Sequence, residues 1–395
     1  MHVKRFVSLL CIALSSVLAD NSALMSALKQ DMLNADKEHN RLESDALQYD
    51  WVKQIISSYS TTNTNQLGDT QKIDTFSIVL DQPIFRSGGI YYAIKYANAN
   101  RAFLELKTKI DEQSLLKEII ASLLDLKKTD LLIQKQVYLI ANAKIDIERK
   151  REQYEHGVLD SSFLDQALLS HNTLQKTMLD LQSNRYTSLM AFSNLSDSEY
   201  STLKPPLFAI MDAKQYLEAS LLVAQQKSQI ARNEYLKDMT IASYLPTLSA
   251  VAGYYETNND LYGRGSNSYK NYGLKLSMPL FDINIAKNIE LKRLEYLKAQ
   301  LQEKDTKRSE ENFYKTQINN VHLVEQKIVL AEHDAQVYDG LLNSTNDAFS
   351  AGEKTIYDVD TLKNSQRAIM LDKAIFELDI QRLLVELYAR MNGEL

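Results

Sequence analysis

Apolar residues recur every seven positions along two long stretches of the chain. The row in the first stretch is Ile119, Leu126, Ile133, Ile140 and Ile147. The row in the second stretch is Val321, Ile328, Ala335, Leu342 and Phe349. A sustained seven-residue period is typical of helices that wind around a neighbour, although the core stripe of an ordinary helical bundle gives a related pattern. Both stretches are therefore predicted to be coiled-coil helices.

The helices are predicted to be unusually long, because residues that break helices are rare. The 395 residues include only 11 glycines and 5 prolines. At 1.5 Å per residue, a helix from Gly89 to Tyr154 would be about 100 Å long. The second long helix is expected between Ile283 and Ser350. Each is expected to turn at a glycine and return as a shorter helix.

The two stretches look like copies of one another. A shift of 195 residues places Gly157 on Gly352 and Tyr154 on Phe349, and a shift of 196 places Pro83 on Pro279. We interpret this as an internal duplication. The predicted organisation is a signal peptide at 1–19, a first repeat at 20–206 and a second repeat at 207–395, each repeat comprising a helix, a β-hairpin and a long helical hairpin.

Segments with a period of two precede the long helices. The clearest alternating set is Tyr272, Leu274, Leu276, Met278 and Leu280. Four strands are predicted, near 51–61, 73–82, 244–255 and 272–280, with polar hairpin loops at 62–72 and 256–271.

The predicted strands have the length that a tilted strand needs to cross a bilayer. Tyrosines are frequent between residues 244 and 272, and the single tryptophan, Trp51, lies at a strand entrance, as in the aromatic girdles of membrane barrels. A soluble hairpin remains the alternative. If the strands span a membrane, several copies must join, because four strands are too few to close a barrel and lipid does not tolerate an open sheet edge.

The composition excludes several kinds of function. With 45 basic and 51 acidic side chains the formal net charge is −6, which gives no support for nucleic-acid binding. Cys11 is the only cysteine, so a disulfide framework, a cysteine zinc site and an iron–sulfur cluster are excluded. His322 and His333 lack a third ligand, and no catalytic constellation is recognisable. We expect no enzyme activity, no metal and no cofactor.

The first residues have the pattern of a secretory signal. Lys4 and Arg5 precede an apolar run from Phe6 to Leu14, and small residues lead up to Asp20. The run is too short to span a bilayer, so a retained anchor is the lesser interpretation. Lipidation at Cys11 is disfavoured because Leu10 precedes it where a small residue is needed.

Several short motifs, in this order and spacing, resemble those of the TolC-like outer-membrane efflux proteins, the outer-membrane factors. They are Tyr244-Leu245-Pro246-Thr247-Leu248, the Pro-x-Phe segments at Pro83 and Pro279, Tyr154-Glu155-His156-Gly157, and Phe349-Ser350-Ala351-Gly352 followed by Asp358-Val359. The resemblance extends over the whole chain after the predicted signal.

The resemblance implies a fold that is mainly α with a small β part. Duplicated long coiled-coil helical hairpins would form a periplasmic tunnel. Four β-strands per chain would contribute to a twelve-stranded outer-membrane barrel in a homotrimer. The implied function is the exit duct of a tripartite efflux pump or type I secretion system. Its partners would be a periplasmic adaptor, or membrane fusion, protein, an inner-membrane transporter and outer-membrane lipid.

The resemblance also implies roles for residues at the two helical turns. The residues expected to contact the adaptor are Gly157, Val158, Leu159, Gly352, Glu353, Lys354 and Thr355. Lys354 matches a basic position that holds the entrance closed, and Asp358 matches an acidic position that lines the constriction. Three copies of Asp358 would repel one another, which would raise their affinity for protons or cations and favour cation passage.

The resemblance has departures, and other interpretations remain open. Phe349 stands where the family often has tyrosine, and Phe163 stands where an acidic residue is common, so the family's closing network cannot be transferred intact. The glycines could be simple helix-hairpin turns, and Asp358 an ordinary solvated residue. The competing function is a periplasmic coiled-coil adaptor or structural protein without a pore.

Overall fold

The computed structural model describes residues 24–66, 69–259 and 267–393, so the predicted signal peptide and Cys11 lie outside the described residues. In chain order the elements are α1 (Ala27–Tyr49), β1 (Ile56–Gln66), β2 (Asp69–Phe85), α2 (Gly89–Glu155), α3 (Ser161–Ser193), α4 (Ala213–Ala219), α5 (Leu221–Ser243), β3 (Thr247–Asn259), β4 (Asn267–Ser277), α6 (Ile285–Ser350) and α7 (Ile356–Tyr388). The predicted fold class, mainly helical with a small β part, is confirmed.

Two very long helices, α2 with 67 residues and α6 with 66, each continue into a return helix of 33 residues. Helix α2 contacts α1, α3, α5 and α7, and α6 contacts α5 and α7. In α6 the buried residues are only Ala299, Glu310, Val321 and Ala331, so a large part of its surface is open in the single chain.

The buried apolar core lies near the middle of the long helices. Ile119, Leu123 and Leu126 of α2 pack with Leu33 of α1 and Phe192 of α3. A second cluster joins α4, α6 and α7 and includes Tyr216, Val321, Leu384 and Leu387. Two residues of the first predicted seven-residue row, Ile119 and Leu126, are fully buried in this core, whereas Ile133 and Ile140 are only partly buried.

The four strands form one antiparallel sheet in the order β1-β2-β3-β4. The predicted loops at 62–72 and 256–271 are largely wrong, because the strands continue through most of these polar residues; Thr62 pairs with Ile73 and Asn63 with Lys72. Backbone groups make the ladder bonds, so polar side chains need not end a strand. Strand β4 ends at Ser277, and the predicted strand residues Met278 and Leu280 lie beyond it.

The helical segment between Ala213 and Ser243 is divided. A short α4 ends at Ala219, and Ser220 forms an isolated bridge with Met391 before α5 begins. The break is held by a buried polar junction. Glu310, only 2% exposed, accepts a hydrogen bond from Tyr216 at 2.6 Å and forms an ion pair with Arg390 at 2.7 Å. No sequence signal marked this junction, because its members come from distant segments.

Candidate functional site

Both long helices end in the same kind of turn. Gly157 has φ +72° and Gly352 has φ +79°, a conformation that residues with a Cβ atom rarely adopt. The N–H of Val158 bonds to the carbonyl of Gln153, and the N–H of Glu353 bonds to the carbonyl of Ala348, both at 2.8 Å. With the bonds made by the glycine N–H groups, these form the Schellman pattern that ends helices. Both glycines therefore end their helices in a turn, and their contact with an adaptor stays a prediction.

The return helices begin with different caps. Asp160 accepts a hydrogen bond from the Ser162 N–H at 2.8 Å. Thr355 and Asp358 form a reciprocal capping box at the start of α7. Hydrogen bonds from Thr355 lower the pKa of Asp358 below its ordinary value, and the charges of Lys354 and Arg149 lower it further. The rise expected for three neighbouring copies concerns an assembly and stays a prediction.

Two contacts join the ends of the two hairpins. The hydroxyl of Tyr357 donates to Glu152 at 2.8 Å, and Arg149 lies 3.4 Å from Asp358. Both contacts connect α2 with α7, and the sequence interpretation missed Arg149, Glu152 and Tyr357. The sequence carried a signal for Arg149, because Arg149 continues a seven-residue series of polar positions in α2.

That series forms a polar ladder between α2 and α7. Its four pairs are Lys128–Asp379, Lys135–Asp372, Asn142–Ser365 and Arg149–Asp358. Each step moves seven residues forward along α2 and seven backward along α7, as antiparallel helices in a fixed register require. The two ion pairs farthest from the turns, Lys128–Asp379 and Lys135–Asp372, are short, with N···O distances of 2.6 Å. Asp358 therefore belongs to this ladder as well as to its cap.

Exposed apolar side chains surround the turns. Val158 is 69% exposed, Phe163 51% and Ile356 50%. Together with Leu159 and Glu353, they form a surface at the far end of the helices from the sheet. Such a surface on a helix end is suited to contact with a partner protein.

The sheet at the opposite end has two chemically different faces. The apolar face, which carries most of the apolar residues, includes Tyr59, Phe76, Ile78, Leu80, Leu248, Ala250, Ala252, Tyr254, Tyr272, Leu274 and Leu276, together with Ser57, Gln82, Glu256 and Lys270. The polar face includes Ser58, Ser60, Thr75, Ser77, Ser249, Asn271 and Lys275. Tyr272, Leu274 and Leu276 are 89%, 70% and 73% exposed, so the apolar face is open to the surroundings.

The tyrosines are divided between the two faces. Tyr254 and Tyr272 lie on the apolar face, as expected for a girdle in contact with lipid. Tyr255 and Tyr269 lie on the polar face and stack with ring centroids 4.9 Å apart. Only some of the tyrosines of this segment can therefore face lipid, because successive strand residues point to opposite faces. Tyr262 lies outside the described residues.

None of the helices in the described ranges is both long and apolar enough to cross a membrane. Over the same ranges, no three His, Cys, Asp or Glu side chains are grouped so that they could hold a metal ion.

The arrangement is similar to that of solved outer-membrane channels. The outer membrane protein VceC of Vibrio cholerae matches with a TM-score of 0.73 at 13% identity, covering 93% of this chain and 94% of that chain. The CmeC outer membrane channel of Campylobacter jejuni matches with a TM-score of 0.71 at 14% identity, covering 94% and 84%. The MtrE outer membrane channel of Neisseria gonorrhoeae matches with a TM-score of 0.65 at 9% identity, covering 92% of this chain and 87% of that chain.

No protein-family model matches the sequence, and no curated protein is significantly similar to it. The chain therefore has the fold of these outer-membrane channels, and the likeness lies in the structure at low sequence identity.

Proposed function

We propose that the chain is the outer-membrane exit duct of a tripartite efflux pump or type I secretion system. It would act as a passive channel that carries substrates from the periplasm to the exterior. The observation that carries this proposal is a sheet with one exposed apolar face and one polar face, joined to helices about 100 Å long. The apolar face fits lipid, and the polar face fits a water-filled lumen.

The duct requires several copies of the chain, and we propose a homotrimer. Four strands from each of three copies give the twelve strands expected from the resemblance. The exposed surfaces support an assembly in which one edge of a copy meets the opposite edge of the next. At the level of α3, helix α6 exposes Val329, Leu330 and Val337, and α3 at the other side of the chain exposes Leu169, Leu179 and Tyr186. Such apolar stripes are uncommon on the surface of a monomer.

The two helical turns are the proposed contact surface for a periplasmic adaptor, which would connect the duct with an inner-membrane transporter. Val158, Leu159, Glu353, Lys354 and Thr355 belong to this surface. Its exposed apolar side chains and its position at the end opposite the sheet support the proposal.

Cysteine placed at Val158 or Glu353 tests the adaptor contact. Crosslinking in intact cells is expected to capture a periplasmic adaptor, identified by mass spectrometry. A cysteine at Leu207, which is 87% exposed at the middle level of the chain, is the matched control. Equal capture from all three positions would contradict a contact at the turns.

Asp358 and Lys354 are the proposed residues of the entrance constriction. Asp358→Asn is expected to weaken cation selectivity in planar-bilayer conductance, because it removes one negative charge per chain from the entrance. The control is Asp160→Asn, which removes an exposed carboxylate that caps α3. Unchanged selectivity in Asp358→Asn, or an equal change in both variants, would remove Asp358 from the constriction.

A periplasmic coiled-coil adaptor or structural protein without a pore is the competing function. It would not need an exposed apolar sheet face, and membrane fractionation separates the two. We expect the protein in the outer-membrane fraction and released only by detergent. Recovery in the soluble periplasm without detergent would reject the duct.

A further inference from the structure

The two edge strands of the sheet have open outer edges. Strands β1 and β4 contain 11 residues each, and every residue of β4 is exposed. They cannot pair with each other within one chain, because β2 and β3 lie between them. An exposed strand of this length offers a row of backbone donors and acceptors to another strand.

The β2–β3 pair supplies a template for the missing contact, because it joins the strands of the first repeat to those of the second. In a ring of copies, β4 of one copy and β1 of the next form a junction of the same kind. The shift that places Pro83 on Pro279 also places Val79 on Lys275 and Leu80 on Leu276.

The observed registers then relate β1 to β3. Val79 pairs with Ile56, and Lys275 pairs with Ser249, so Ile56 is equivalent to Ser249. Three residues further along each strand, Tyr59 is equivalent to Ala252.

We propose that β4 pairs antiparallel with β1 of a neighbouring copy in a single register, with Leu276 opposite Tyr59. The proposal follows from the observed pairing of Leu80 with Ala252, whose equivalents are Leu276 and Tyr59. It rests on the proposed assembly of the duct from several copies and adds the residues that meet at the seam.

The faces of the sheet agree with this register. Leu276 and Tyr59 both lie on the apolar face, and both are exposed in the single chain, at 73% and 67%. The same register sets Lys275 opposite Ser60 on the polar face. A slip of one residue would set Leu276 against Ser58 or Ser60 and would join an apolar face to a polar one.

The segment that follows β4 also agrees with the proposed register. Pro83 pairs with Ser249, and a bulge separates it from Phe85. The proposed register sets Pro279 opposite Ile56, the equivalent pair. Residues 278 and 279, which follow the end of β4 in the single chain, would then extend the strand to the first residue of the neighbouring β1.

Disulfide trapping tests the register. In a Cys11→Ala background, Tyr59→Cys is combined in turn with Tyr272→Cys, Leu274→Cys, Leu276→Cys and Met278→Cys, and purified membranes are oxidised with copper phenanthroline. The first three partners lie on one face of β4, and Met278 continues their alternation. Directly opposite residues have Cβ atoms about 5 Å apart, and the next residues on that face are about 7–8 Å away, near the limit for a disulfide.

We expect the Leu276→Cys pair to give covalently linked oligomers on non-reducing gels, in at least several-fold excess over its neighbours. A maximum at Tyr272→Cys, Leu274→Cys or Met278→Cys would overturn the register and leave the duct intact. Trimers that give no link at any position would overturn the β4–β1 pairing. Purified monomers in all variants and in the parent chain would overturn the proposed function as well.

Discussion

The contact between α2 and α7 has two parts that differ in chemistry. The upper part is the one nearer the sheet, and the lower part is the one nearer the turns. In the upper part Ile120, Leu124 and Val385 are almost fully buried, and Leu378 and Phe208 pack against them. In the lower part the polar ladder continues towards the turns, and its charged side chains remain between 22% and 37% exposed.

The difference separates a strong contact from a weak one. A buried aliphatic side chain contributes about 1.5–3 kcal/mol to stability, whereas a solvent-accessible ion pair contributes about 0–1 kcal/mol. From Lys128 to Arg149 the ladder extends about 30 Å along the helix. We therefore expect the ladder pairs to contribute less to the joining of α2 and α7 than the buried apolar residues of the upper part do.

Removing apolar volume from the upper part should give the largest effect. Leu124→Ala is expected to reduce stability by about 2–5 kcal/mol, because it leaves a cavity at a position that is 1% exposed. Thermal unfolding followed by circular dichroism measures the loss. Leu207→Ala is the matched control at an exposed leucine. Equal midpoints for the two variants would contradict the assignment of the upper part as the strong contact.

Reversing one ladder charge should have a smaller effect. Lys135→Asp sets two carboxylates against each other, and we expect a loss of about 1 kcal/mol from the missing ion pair and the repulsion. Adding Asp372→Lys should restore most of it, because the pair is re-formed with opposite polarity. The double-mutant cycle is measured at low and high salt, where screening should reduce the coupling. A coupling of zero at low salt would remove this pair from the contact.

A weaker change is expected at the turns. Tyr357→Phe removes the hydrogen bond to Glu152, which should contribute about 0.5–1 kcal/mol because the groups are exposed. Hydrogen exchange of residues 351–358 should become faster, since one contact that holds α7 to α2 is lost. Tyr154→Phe changes an exposed tyrosine of the same region and is the control. Faster exchange in both variants to the same extent would argue against a specific contact.

The smallest effect concerns pH. The pKa of Asp358 is lowered chiefly by its hydrogen bonds from Thr355, so its contribution to the start of α7 is present above the ordinary value of 3.8 and is lost as the pH falls below it. Exchange of residues 355–358, corrected for the intrinsic pH dependence, should increase in this acidic range. Asp358→Asn should show no such step. A step of equal size in that variant would assign the titration to another group.

Much of the helical part of the fold could be predicted from the sequence. The seven-residue period and the scarcity of glycine gave α2 and α6 to within a few residues at their ends, because periodicity in a long helix is a strong local signal. The break at Ser220 could not be found in this way. It depends on Glu310, Arg390 and Met391, which are distant in sequence and meet only after the helices pack.

The sheet and the site were predicted less completely. The alternation of Leu274 and Leu276 identified β4, but polar composition concealed the ends of the strands, because ladder bonds depend on the backbone. Gly157 and Gly352 were found from a local property, their freedom to adopt positive φ. The contacts of Arg149 and Tyr357 join two hairpins, so their geometry required the relative placement of α2 and α7.

The large uncovered surface of α6 and the fully exposed β4 have a consequence for how the protein must be handled. If these surfaces are covered only by sister chains, folding and association are a single thermodynamic event, and the midpoint of unfolding should rise with protein concentration. A newly exported chain would also need to associate with other copies soon after translocation. A single copy exposes both an open strand edge and an apolar helix face, to which any other unfolded polypeptide nearby could bind.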